Sequence, residues 1–172
     1  TPARARLADP RIGVFFGGKY LYEEDERGVE VRYHTHRWRL EPKDLTAFRQ
    51  GRLTEPVQPI VFYVDDAFPE SWKPHVKAGI EEWQAAFEKI GFKNAIVARD
   101  FPADDPAFDP ENLAYSCVRY SPSPVANAMG PSWTDPRSGE ILQANVSVYH
   151  NMVRLVQDWR FIQTAPADPS VR

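Results

Sequence analysis

The chain has 172 residues, 42% hydrophobic, 13% aromatic and 26% charged, a composition that fits a folded globule and excludes a polar disordered segment or a coiled coil. Its 21 Lys and Arg against 24 Asp and Glu give a net charge of -3, without the basic excess that neutralising nucleic-acid phosphates requires. The single cysteine, Cys117, rules out an intramolecular disulfide scaffold, and no apolar run approaches the ~18 to 20 residues of a membrane span.

The length predicts one domain with an appended arm. The chain starts Thr1-Pro2-Ala3-Arg4 with no initiator Met and no signal-peptide apolar core, and stops at Pro169-Ser170-Val171-Arg172 without a closing element. This reads as an excised or processed piece. Its 16 prolines, each fixing φ and removing a donor, favour short strands and stiff connections over long regular elements.

Two strand-like stretches come first, Gly13 to Tyr22 and Val29 to Leu40, separated by the polar loop Glu23-Glu24-Asp25-Glu26-Arg27-Gly28. They predict an antiparallel hairpin arm. Residues 41–58 carry prolines and little periodicity and read as a linker, which puts an arm and linker at 1–58 and a packed domain at 59–172.

Ile60 to Val64 is a continuous apolar run suited to a strand buried on both faces. Trp72, Val76, Ile80, Trp83, Phe87 and Ile90 then trace one face of a helix of about 17 residues. Pro74 suits its first turn and Gly91 a left-handed cap. Burying those six side chains corresponds to a gross ~10 to 15 kcal/mol. Ala95 to Arg99 completes a βαβ unit, whose strands should be parallel. An acidic, proline-rich loop runs from Phe101 to Asn112, and Tyr115 to Tyr120 forms a third strand. After a turn-rich segment, 121–139, the strand Ile141 to Tyr149 alternates Leu142, Ala144, Val146 and Val148 with Gln143, Asn145 and Ser147. Such one-sidedness suits a sheet edge. Met152, Val153, Val156, Trp159 and Phe161 suggest a closing helix.

Familiar catalytic signatures are missing: there is no G-x-S-x-G, phosphate-binding G-x-x-x-x-G-K-[ST], C-x-x-C or H-E-x-x-H. His34 and His36 would share a strand face, but Tyr33 and Arg37-Trp38-Arg39 bring no further metal ligand, so both read as exposed strand residues. His75 and His150 are isolated. Asp104, Asp105, Asp109 and Glu111 do not match calcium-loop spacing and read as a solvated loop. Asn145-Val146-Ser147 matches the glycosylation triplet but falls on a strand, and Cys117 reads as a small buried hydrophobe.

Longer strings say more. Arg37-Trp38-Arg39-Leu40-Glu41-Pro42-Lys43-Asp44, Pro59 to Asp65 and Glu82-Trp83-Gln84-Ala85-Ala86-Phe87-Glu88-Lys89-Ile90-Gly91-Phe92-Lys93-Asn94-Ala95-Ile96 closely resemble a family of large bacterial zinc-dependent metallopeptidases of the metzincin-like type. Tyr115 to Tyr120, Ala128-Met129-Gly130-Pro131-Ser132, Asp135-Pro136-Arg137-Ser138-Gly139-Glu140-Ile141 and Tyr149-His150-Asn151 continue the resemblance, in order and over nearly the whole chain. It implies an α+β, zincin-like fold. The expected architecture is a twisted mixed β-sheet with a backing helix, one βαβ unit and an antiparallel edge strand, preceded by the β-hairpin arm.

In the family, the helix bearing H-E-x-x-H, the third ligand and the Met-turn come later in the chain, so no ligand or general base carries over here. The resemblance therefore implies a fragment of a metallopeptidase, inactive alone, with zinc in the full-length parent and none expected in this chain. The implied partners are a polypeptide substrate and the missing C-terminal half of the catalytic domain. The implied location is secreted, periplasmic or cell-envelope. The one site it offers is the edge strand, whose backbone at Gln143, Ala144, Asn145, Val146 and Ser147 would hold an extended substrate by β-augmentation. Two alternatives compete with it: a non-catalytic peptide- or protein-binding module with a zincin half-fold, and a structural piece that docks another part of its own protein.

Overall fold

The computed structural model describes residues 2–22 and 28–171. An antiparallel pair, β1 (Phe16–Tyr22) and β2 (Val29–Thr35), forms the arm, running in register from Phe16 opposite Thr35 to Tyr22 opposite Val29. Both strands are shorter than predicted, and most of the polar loop between them, residues 23–27, lies outside the described residues. The segment before the arm adds a third line of pairing. The Ala8 N–H donates to the Tyr33 carbonyl at 2.8 Å and the Thr35 N–H to the Arg6 carbonyl at 2.9 Å.

The stretch read as a linker holds a five-residue helix, α1 (Leu45–Arg49), that the sequence reading missed. Asp44 caps it, its carboxylate accepting from the Ala47 N–H at 2.8 Å. The stretch is built into the fold: the Thr54 N–H donates to the Gly91 carbonyl, and the Lys93 N–H to the Thr54 carbonyl.

The main sheet contains β3 (Ile60–Val64), β4 (Ile96–Asp100), β5 (Ser116–Ser121), β6 (Ala128–Met129), β7 (Ser132–Thr134) and β8 (Ile141–Tyr149). Its order is β4-β3-β5-β8-β6, with β7 also on β8. The first four of these are mutually parallel and the two short strands are antiparallel to β8, so the protein is α+β with a mixed sheet. The strand-helix-strand unit is present, with β3 and β4 parallel neighbours.

The single long helix predicted over Trp72 to Ile90 is two, α2 (Lys73–Glu81) and α3 (Gln84–Lys89). Between them the Ala85 and Ala86 N–H groups reach back only three residues, to the Glu82 and Trp83 carbonyls, so a tighter turn interrupts the α pattern. Pro74 occupies the first turn as expected. Gly91 ends α3 at φ 97°, with the Phe92 N–H bonded to the Phe87 carbonyl and the Gly91 N–H to the Glu88 carbonyl, which is the Schellman pattern. A side chain at Gly91 would also meet the Phe48 ring at 2.7 Å, and Phe48 packs on Phe92 with centroids 5.0 Å apart.

The core is smaller than the helix pattern promised. Val64, Phe68 and Val118 are buried together, with Trp72, Val76, Ile80 and Tyr120 packed around them. No side chain of α2 or α3 is fully buried, and Trp83 and Ile90 remain 64% and 59% exposed. Only part of the predicted burial is thus realised. The break at Glu82–Trp83 and the bare sheet beside α2 account for the rest. The predicted closing helix, α4 (Met152–Thr164), forms but closes nothing: none of its side chains is buried, and Trp159, Phe161 and Ile162 face solvent. No helix among the described residues is long and apolar enough to cross a membrane.

Candidate functional site

The predicted substrate-holding strand, Ile141–Tyr149, is present as β8 but is neither antiparallel to β5 nor an edge. It runs parallel to β5, with Cys117 beside Asn145 and Arg119 beside Ser147. On its other side Trp133 pairs with Gln143, Ser132 with Ala144 and Met129 with Ser147. The Asn145 N–H donates to the Pro131 carbonyl at 3.1 Å. Thus Gln143, Ala144, Asn145, Val146 and Ser147 lie in a strand flanked on both sides, because the segment read as turns folds back as β6 and β7 and occupies the outer position.

The alternation that suggested an edge has another cause. Gln143, Asn145 and Ser147 face the side of the sheet away from α2, where the first two side chains make internal hydrogen bonds. The Gln143 side chain is almost wholly buried and its amide donates to the Tyr115 carbonyl at 3.0 Å. The Asn145 side-chain oxygen accepts from the Cys117 N–H at 3.2 Å. The glycosylation triplet therefore sits in a strand with its asparagine engaged.

The outer margin is set by the turn between β7 and β8. Asp135 accepts from the Arg137 N–H at 2.8 Å and from the Arg137 guanidinium, which together hold its carboxyl down at about 2. The Ser138 and Gly139 N–H groups close the turn on the Asp135 carbonyl. Gly139, at φ 73°, lies so close to the strand of the arm that a Cβ there would stand 2.3 Å from the Thr35 carbonyl oxygen. Residues 37–39 run beside the start of β8, with the Arg37 N–H on the Gly139 carbonyl and the Ile141 N–H on the Arg37 carbonyl. Arg39 completes the join with a two-pronged pair to Glu140, both contacts 2.7 Å.

The sheet face away from α2 is covered by the acidic loop, which is not simply solvated. Phe101, Phe108 and Tyr115 form a ring cluster with Tyr63, centroids 4.7 to 5.6 Å apart. Glu111 meets the Arg119 guanidinium at 2.5 Å, and Arg119 also donates to buried Asp65 at 3.0 Å. Burial pushes Asp65 up, but the Ala67 and Tyr120 N–H groups and Arg119 outweigh it and hold the carboxyl below the usual range. Cys117 is fully buried as expected, and burial pushes its thiol up to about 11.

The side facing α2 carries an open, mostly apolar feature. A groove of about 580 Å³ lies between α2–α3 and the strands β5 and β8, walled by Trp38, Phe62, Ile80, Trp83, Val146 and Val148. His75 is its one titratable neighbour. His150 stacks on Trp72, centroids 5.3 Å apart, and its Nδ1 lies 2.7 Å from the Tyr120 hydroxyl. His34 and His36 are half-buried rather than exposed. His34 lies at the bridge to Leu7, and the His36 ring lies against Gly17, whose missing side chain makes room for it. Among the described residues no three His, Cys, Asp or Glu side chains converge to hold a metal ion.

No curated protein and no solved structure matches the chain significantly. A family model described as Domain of unknown function (DUF5117) matches residues 1–43, which span the hairpin arm and the segment that runs beside the start of β8.

Proposed function

We propose that this chain is the N-terminal half of the catalytic domain of a zinc-dependent metallopeptidase, and that it aligns an extended polypeptide along the outer margin of its sheet. The motif strings from Arg37 to Asn151 motivate the reading, and one structural observation carries it. The sheet is hydrogen-bonded throughout, yet helix covers only part of its α2 face, leaving over β5 and β8 an apolar groove. Helices pack in one layer on the face of a sheet, and a further helix would bury the apolar side chains that this groove leaves open. On this reading the second half of the domain supplies it.

Substrate alignment passes from β8 to its antiparallel neighbours. Beyond β6 and β7 no strand follows among the described residues, so their outer groups offer the margin on which β-augmentation operates. The described residues bring no metal-ligand set, and no step of the hydrolysis is assigned to them. When bound in the parent, zinc would polarise the scissile carbonyl and activate water. Export to the cell envelope or beyond belongs to the same proposal.

The test is a longer parent chain. An H-E-x-x-H within several dozen residues after Arg172, roughly one zinc per chain and zinc-dependent cleavage of an unfolded protein substrate are expected, with neither zinc nor cleavage from the 172-residue chain. A following segment without that motif overturns the reading in favour of a non-catalytic binding module. Zinc-dependent cleavage by the 172 residues alone overturns the assignment of the chemistry to the other half.

A further inference from the structure

The arm shows a second unpartnered surface, independent of the peptidase reading. Alternate residues of a strand share a face. Register therefore gathers Phe16, Tyr20, Tyr22, Val29, Val31 and Tyr33 on one side of the β1–β2 pair. All six are 42 to 76% exposed. The Phe16 and Tyr33 rings meet edge-on at 5.4 Å, and Tyr33 lies across Gly18, where a Cβ would stand 3.1 Å from its ring. That glycine keeps the aromatic surface continuous. The charged residues Lys19, Glu30 and Arg32 all fall on the opposite face.

We propose that this aromatic face is a self-association surface, in which the arms of two copies pack face to face about a two-fold axis. A surface that meets its own image must not oppose like charges, and among the described residues this face has none. Its area is also adequate. Four aromatics and two valines at the observed exposures present roughly 650 Å² per copy, and two copies together approach the ~1,200 to 2,000 Å² of a specific interface. Two such pairs stacked face to face make a four-stranded sandwich with a dry centre.

Sedimentation of the 172-residue chain from about 1 to 100 μM tests this, with Tyr20→Lys placing a charge at the centre of the face. The proposal expects a concentration-dependent dimer in which Tyr20→Lys weakens association at least ~10-fold, while Gly79→Arg, which obstructs the groove beside α2, leaves it unchanged. Disulfide trapping supplies a readout that does not depend on the hairpin tolerating lysine. Val31→Cys should cross-link two copies on mild oxidation and Lys19→Cys, on the far face, should not. A monomer throughout the range, a dimer indifferent to Tyr20→Lys with no cross-link at Val31→Cys, or a dimer lost only in Gly79→Arg would each overturn the assignment. None of these outcomes bears on the zinc test of the longer parent.

Discussion

The same substitution, glycine to alanine, should have opposite signs at two places in this fold. At Gly139 the backbone sits at φ 73°, which costs an L-residue ~1 to 2 kcal/mol. The added methyl would stand 2.3 Å from the Thr35 carbonyl oxygen and 3.1 Å from its carbon, both backbone atoms that no rotamer change can move. Relief requires the arm to part from the turn, at the expense of the Arg37–Gly139 and Ile141–Arg37 hydrogen bonds, each about 0.5 to 1.5 kcal/mol. The sum is ~3 kcal/mol, or a fall in Tm of roughly 6 to 12 °C for a chain of this size. Gly79, in the interior of α2, has nothing within 4 Å of the position its Cβ would take. Gly79→Ala should therefore add ~1 kcal/mol from helix propensity and raise Tm by about 2 to 4 °C. Calorimetric melts of both variants at pH 7 and one fixed protein concentration decide the matter. A Gly139→Ala variant melting within about 2 °C of the wild type would refute the close approach of arm and turn.

Three further outcomes are expected. Asp65→Ala removes a buried acceptor shared by Ala67, Tyr120 and Arg119 and should lower stability by ~2 to 4 kcal/mol in urea titrations, with Asp65→Asn in between. Val146→Pro, in a strand paired on both sides, should abolish the cooperative unfolding transition, whereas a proline on a true edge would be tolerated. Asp65 and Asp135 both have folded-state carboxyls held below their unfolded values, so the stability they contribute is present above about pH 4 and is lost as pH falls toward 2. Melting temperature should accordingly be flat from about pH 7 to 5 and drop below 4, and Asp135→Asn should flatten that drop.

What was legible in the sequence was whatever repeats over enough residues to show a period or relies on one special backbone position. The apolar runs of β3 and β4, the alternation in β5, the arm and the left-handed cap at Gly91 are of this kind. α1 has five residues, less than two turns, and its only local signal is Asp44. β6 and β7, at two and three residues, are too short to alternate visibly, and because they went unseen β8 was read as the edge. Its polar residues misled for a physical reason: the Gln143 amide N–H and the Asn145 side-chain oxygen bond backbone groups inside the protein, and a polar group engaged internally is indistinguishable in sequence from a solvated one. The break at Glu82–Trp83 left the helical period intact, since both residues keep helical φ and ψ. The groove was invisible for a complementary reason: Trp83, Val146 and Val148 look like core residues whether or not anything covers them.

The buried Cys117 makes this protein a convenient reporter of its own opening. With its thiol pushed up to about 11, only about one molecule in a thousand carries the reactive thiolate at pH 8, and the side chain is fully shielded from reagents. Labels aimed at an introduced surface cysteine should therefore go there alone, with no need to remove the native one. Conversely, slow modification of Cys117 in the unaltered chain would time the excursions in which β3, β5 and β8 separate, a clock for the central sheet that requires no engineered probe.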